Sequence, residues 1–163
     1  MGYSFNAGEV FKIAIQIEEN GKHFYEESQK IVSNPGIQKL FAELAEQEIE
    51  HKKKFESLRA QLPLESTASA VWDPDNELDR YIKTMADDHI FVSSVSLKDQ
   101  LAQVKDAKSA LKMAIEFEKD SVIFFLSLED LTEKKDQELI KSLVKEEQGH
   151  LKRLTLELMK LGK

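Results

Sequence analysis

No cysteine occurs among the 163 residues. Disulfides, thiolate metal ligands and a cysteine nucleophile are therefore excluded, and the redox compartment is left open. Proline and glycine are scarce, at three and six. Few helix breaks in a chain rich in Glu, Lys, Leu, Ala and Gln point to an all-α fold. No apolar run approaches the roughly 18 residues of a membrane span. Basic residues are in deficit, for a net charge of -7. That argues against nucleic acid as a partner, because phosphate backbones are bound by basic patches. Residues Met1 to Asn6 show no basic run followed by an apolar core, so no signal peptide is expected. Asn6 also stands where a myristoylation motif needs Ser or Thr. The expectation is a soluble cytoplasmic protein with no membrane partner.

Against that background, one short pattern stands out because it occurs twice: Glu48-Ile49-Glu50-His51 and Glu147-Gln148-Gly149-His150. Both lie in helical periodicity. Around the first, Ile37, Phe41, Leu44, Phe55, Leu58 and Leu62 recur in steps of three and four, with Glu48 and His51 filling the gaps in the stripe. Around the second, Ile140, Leu143, Leu154, Leu158 and Leu161 do the same, with Glu147 and His150 in the gaps. Each helix therefore aims a carboxylate and an imidazole at the core. A bare buried carboxylate costs several kcal/mol or gives up its charge. A metal ion is the economical compensation.

The chain in order predicts a single domain over 1–163, built as a helical hairpin (6–61), a crossover (62–106) and a second hairpin (107–162). Asn6 with Glu9 marks a first helix running to about Val32. Asn34-Pro35 starts a second, which ends near Gln61. The crossover begins with a loop at 63–69. A short helix capped at Asp73-Pro74 and running to about Asp88 follows, and Ser96 to Asp99 caps a second short piece. About forty residues between hairpins is too long for a turn and fits a connection from one end of a bundle to the other. Trp72, Tyr81, Ile82, Met85, Ile90, Phe91 and Val92 are expected to anchor it to the bundle or to a second subunit. The last two helices are expected at about 107–131 and 135–161.

The two hairpins repeat. Ala14 to Glu18 (Ala-Ile-Gln-Ile-Glu) matches Ala114 to Glu118 (Ala-Ile-Glu-Phe-Glu), and Gly21, Phe24 and Tyr25 match Ser121, Phe124 and Phe125. Glu18 interrupts the core face of its helix between Ala14 and Gly21. The inventory is then one core Glu from each of two helices and a Glu-x-x-His from each of the other two. That constellation, Glu18, Glu48, His51, Glu118, Glu147 and His150, with Tyr25 two turns after Glu18, resembles the ferritin-like di-iron carboxylate superfamily, and within it the rubrerythrin type. The resemblance covers nearly the whole chain and implies a four-helix bundle of two antiparallel hairpins.

Residues i and i+3 share a helix face, so Glu and His can bind one ion. Four carboxylates and two imidazoles suit two divalent ions per chain, and the four negative charges match the four positive ones. Mixed N/O ligation admits iron, manganese or zinc. The resemblance implies iron, with Glu18 and Glu147 or their partners as terminal ligands and the others bridging. Spacing does not choose among them. It also implies an oxidoreductase of peroxidase or ferroxidase type, acting on peroxide or oxygen in oxidative stress, and a homodimer or higher oligomer. The alternatives are an iron-handling protein without turnover and a bundle kept for protein contacts.

Two features depart from the rubrerythrin pattern. Without cysteine there is no rubredoxin-type iron module here, so electrons must come from an external donor, protein or small molecule. The extra carboxylate that those proteins place about a turn from Glu118 is also missing, its places taken by Ala114, Ile115, Ser121 and Val122. Other positions read more plainly. Glu19, Glu50, Glu116 and Glu146 fall off the stripes onto a solvated face. His23 and His89 have no partner pattern. Phe117, Phe124 and Phe125 read as core. Tyr25 is either a core aromatic or a group supporting the site. Gly21, Ser121 and Gly149 mark tight packing or access for a small oxidant.

Overall fold

The computed structural model describes residues 7–64, 94–129, 134 and 137–162. Within them lie five helices and no strand: α1 (Ala7–Ile31), α2 (Pro35–Ala60), α3 (Ser94–Leu101), α4 (Ala107–Leu128) and α5 (Gln137–Leu161). The short helix expected at 73–88, the apolar anchors from Trp72 to Val92, and His89 lie outside the described residues. α1 lies along α2 and α4 along α5. The pairs meet where α1 touches α4 and α2 touches α5, and α3 rests on α1. The fold is an all-α bundle of two helical hairpins, as the resemblance implies.

Helix boundaries follow local chemistry. The Asn34 side chain accepts hydrogen bonds from the backbone N–H of Gly36 (2.9 Å) and Ile37 (3.2 Å), and Pro35 occupies the first helical position. An Asn cap with Pro after it satisfies free N–H groups at no backbone cost, which is why α2 starts there. Asp106 and Ser109 form a reciprocal capping box at the start of α4, with Ser109 N donating to Asp106 Oδ1 at 2.7 Å and Asp106 N to Ser109 Oγ at 3.1 Å. The expected cap at Ser96 is corrected: α3 already begins at Ser94, and Ser96 is inside it. Ser96 with Asp99 three residues on imitates a cap, and sequence pattern places helix ends only to within a few residues.

The core is made of the two stripes and their partners. Ile37, Phe41, Leu44, Phe55 and Leu58 of α2 and Ile140, Leu143 and Leu154 of α5 are buried. So are Phe11, Ala14, Ile17 and Phe24 of α1 and Leu111, Ala114, Phe117, Phe124 and Phe125 of α4. Phe55 and Phe125 pack with ring centroids 4.8 Å apart, tying α2 to α4 across the repeat. Lys52 bonds Glu19 at 2.5 Å between α2 and α1, and Arg153 bonds Glu43 between α5 and α2.

Two helical glycines behave oppositely. A Cβ on Gly21 would lie 2.5 Å from Phe117 Cζ and 3.2 Å from Glu48 Oε2. Gly21 is thus a point of close approach between α1 and α4, beside the polar centre. Gly149 is exposed, and a Cβ there would meet nothing within 4 Å, so tight packing does not explain it. Ser121, the repeat mate of Gly21, is buried on α4. Gly21→Ala should destabilise by about 1–3 kcal/mol, because overpacking a rigid contact outweighs the ~1 kcal/mol gain in helix propensity. Gly149→Ala should stabilise by up to about 1 kcal/mol. Urea unfolding of both variants checks this, and equal signs would contradict the packing described.

Candidate metal centre

Glu18 from α1, Glu118 from α4, Glu48 with His51 from α2, and Glu147 with His150 from α5 meet in the middle of the bundle. All six are at most 3 % exposed. They form two overlapping groups. Glu18, Glu48, His51 and Glu147 each offer an atom such that all lie within 4.8 Å of one another, and Glu48, Glu118, Glu147 and His150 do the same. Glu48 and Glu147 belong to both. Spacing leaves open which carboxylates are shared; in the structure Glu48 and Glu147 are common to both groups, while Glu18 and Glu118 each belong to one. Helix pairing decides this, because α2 and α5 face each other through their Glu-x-x-His turns, and α1 and α4 each flank one side.

Both histidines present Nδ1 to the carboxylates. His51 Nδ1 is 2.5 Å from Glu147 Oε1 and 3.7 Å from Glu18 Oε2. His150 Nδ1 is 3.0 Å from Glu147 Oε2, 3.4 Å from Glu118 Oε1 and 3.6 Å from Glu48 Oε1. The rings stack, 5.4 Å between centroids and 11° between planes. Yet these approaches lack hydrogen-bond geometry. Both oxygens of Glu18 and of Glu147, Oε1 of Glu48, Oε2 of Glu118 and Nδ1 of both histidines are buried without a hydrogen-bond partner among the described residues. Buried polar atoms are nearly always paired. Carboxylate and imidazole atoms converging without hydrogen-bond geometry between them are what a cation requires, so the residues fit a metal centre on their own geometry.

Electrostatics describes the strain of that cluster without a cation. Burial pushes Glu18 and Glu48 well above the usual carboxylate range, with Glu147 adding to both. Burial and then the charge of Glu147 raise Glu118 to about 8. For the histidines burial acts downward but is overcome by the carboxylates: Glu147 and Glu48 raise His51 to about 9, and Glu118 and Glu147 raise His150 to about 11. Glu147 goes the other way. Burial would raise it, but the two imidazoles beside it hold it below the usual range.

Around the centre the halves differ. The Tyr25 hydroxyl, fully buried, donates a hydrogen bond to Glu118 Oε1. Burial and the charges of Glu118 and Glu48 raise its pKa well above the ordinary value, so it stays a donor. Its repeat mate Phe125 packs on Phe55 and Phe124 instead. Glu146 corrects the sequence reading. It was assigned to a solvated face, but its Oε2 is 2.9 Å from His51 Nε2 and its Oε1 accepts from Lys54 Nζ at 3.0 Å. Helical phase puts it off its own stripe, and only the packing of α5 on α2 brings it to His51. Glu19, Glu50 and Glu116 are surface partners of Lys52, Lys53 and Lys119 as expected, and His23 is exposed.

Five of the six groups hold protons to higher pH when folded than when unfolded. Folding of the metal-free chain therefore takes up protons, and its stability falls as pH rises from the carboxylate range through about 8 for Glu118 and about 9 for His51. Glu147 has the opposite slope, but only below the ordinary carboxylate range. Urea unfolding of metal-free protein at about pH 5.5, 7 and 8.5 should show stability declining stepwise. A flat or rising profile would contradict a shared buried cluster.

The sequence model of the rubrerythrin family matches residues 9–158. The fold is similar to the crystal structure of a candidate ferritin-like diiron-carboxylate protein from Thermotoga maritima, with a TM-score of 0.69, 26% sequence identity and 98% of each chain covered. No curated protein is similar enough in sequence to count as a relative. No helix among the described residues is long and apolar enough to cross a membrane. The matched span takes in both Glu-x-x-His turns together with Glu18, Tyr25 and Glu118, on the fold that such a centre needs, and the chain belongs to the rubrerythrin family.

Proposed function

We propose that the chain holds two divalent metal ions, iron by the family's chemistry, and works as an oxidoreductase that reduces peroxide or oxygen with electrons from an external donor. The observation that carries this is the set of buried, unpartnered oxygen and nitrogen atoms from six residues arranged as two groups with Glu48 and Glu147 in common. In this reading Glu18 and His51 serve one ion, Glu118 and His150 the other, and Glu48 and Glu147 both. Four carboxylates match the charge of two divalent cations, and a neutral cluster is far cheaper to bury than four bare charges. An iron pair held there would supply one electron from each metal, the two that, with two protons, reduce one peroxide to two waters.

The chain's own residues supply the rest. The carboxylates hold either metal charge state without leaving the core. Tyr25 keeps Glu118 oriented and has a proton to give. The aromatic core around Phe117 and Phe125 excludes bulk water. Because the chain has no cysteine-bound iron of its own, the donor must reach it from outside. The same site also suits an iron-handling protein that oxidises its own metal once and stops. Supplying excess reductant and peroxide separates the two: a catalyst consumes many equivalents per chain, and a handler about one.

Titration of metal-free protein with ferrous iron should saturate near two equivalents. Glu48→Ala and Glu147→Ala should each reduce that to about one or less, because each removes a group common to both positions. Glu50→Ala, on the surface with Lys53, should change nothing. Saturation of the wild type at one or none would overturn the dinuclear reading. Tyr25→Phe should keep two-metal binding and slow peroxide oxidation of the ferrous protein by on the order of a hundredfold, the scale for losing a positioned proton donor. Identical stopped-flow rates at equal iron loading would reduce Tyr25 to packing.

A further inference from the structure

The two metal positions have matched ligands and unmatched support. On the Glu18 side, His51 Nε2 faces Glu146 Oε2 at 2.9 Å, and Glu146 is itself held by Lys54 at 3.0 Å and approached by Ser142 Oγ at 3.5 Å. A carboxylate there accepts the Nε2 proton, which selects the tautomer whose Nδ1 carries a lone pair for a metal. On the Glu118 side, His150 Nε2 is buried with no hydrogen-bond partner among the described residues. The residue that mirrors Glu146 in the repeat is Gln47, and it is exposed. Binding a metal through His150 Nδ1 therefore leaves a buried N–H unpaired. The carboxylates differ in the same direction. Both oxygens of Glu18 are unpartnered, whereas Glu118 has already committed Oε1 to Tyr25.

We propose that the positions fill in order, Glu18/His51 first and Glu118/His150 second, with Glu146 as the positioning residue that sets the order by orienting His51. This rests on the dinuclear reading above and goes beyond it, since nothing in the ligand set itself distinguishes the positions. Removing a carboxylate behind a metal-bound histidine commonly weakens metal binding by about ten- to a hundredfold. The first and second binding steps should differ by a factor of about that size. The weaker second position then becomes the one whose occupancy varies with metal supply, so that a one-metal form is a populated state of the protein.

The test uses zinc(II), which is diamagnetic, added stepwise to metal-free full-length protein while the ring nitrogens of the histidines are followed by NMR. Up to one equivalent, His51 Nδ1 should shift and His150 should not; the second equivalent should shift His150. Glu146→Ala should weaken the first step by about ten- to a hundredfold, so that both histidines respond together. Glu146→Gln, which keeps an acceptor oxygen, should restore much of the order, which a merely structural role would not predict. Glu146 is partly exposed, so neither variant removes core packing. Two equivalents bound with His150 first, or with both histidines together in the wild type, would overturn the proposal and leave the dinuclear reading intact. Wild-type order unchanged in Glu146→Ala would overturn the role of Glu146. Failure to bind a second equivalent would overturn the dinuclear reading itself, and this proposal with it.

Discussion

Four carboxylates share one buried volume, and everything else in the bundle is arranged around that fact. Like charges so close in a medium from which water is excluded repel strongly, and desolvation adds to the penalty. Either the groups take up protons or a cation joins them. Protonation is incomplete in this cluster, because Glu147 is kept ionised by the two imidazoles while Glu18, Glu48 and Glu118 are pushed towards neutrality. The metal-free protein thus carries a compromise in which several buried oxygen and nitrogen atoms have no hydrogen-bond partner among the described residues. The aromatic packing of Phe55, Phe117 and Phe125, and the close approach at Gly21, hold the helices together against that repulsion.

A duplicated hairpin gives a centre with near-twofold symmetry, and chemistry needs that symmetry broken. Two substitutions break it here. Tyr25 opposite Phe125 places a hydroxyl on one side only, and Glu146 opposite Gln47 places an outer carboxylate on one side only. They act on different positions: Tyr25 restrains Glu118, and Glu146 supports His51. Together they give one side an unrestrained Glu18 beside a fixed imidazole, and the other a tethered Glu118 beside an imidazole whose Nε2 has no partner among the described residues.

The buried Glu and His cluster and the bundle were legible in the sequence because two independent periodicities agreed. A Glu in an apolar stripe is a local anomaly, and its recurrence about a hundred residues on turned the anomaly into a pattern. The helix cap at Asn34 could be read because side chain and backbone interact within a few residues. Glu146 could not be read. It lies off its own stripe and acquires its role only from the way α5 packs on α2, a tertiary fact with no local signal. The sharing of Glu48 and Glu147 was hidden for the same reason. At Gly149 the pattern left packing and access both open, and only the structure shows it exposed, with nothing within 4 Å of a Cβ there among the described residues.

The central claim is that two metal ions share Glu48 and Glu147 in the bundle core. Anomalous diffraction at the iron absorption edge from crystals of the ferrous-loaded protein tests it most directly. The account predicts two peaks within the bundle, one beside Glu18 and His51 and one beside Glu118 and His150, each within coordination distance of both Glu48 and Glu147. A single peak, or two peaks with no carboxylate in common, would contradict it.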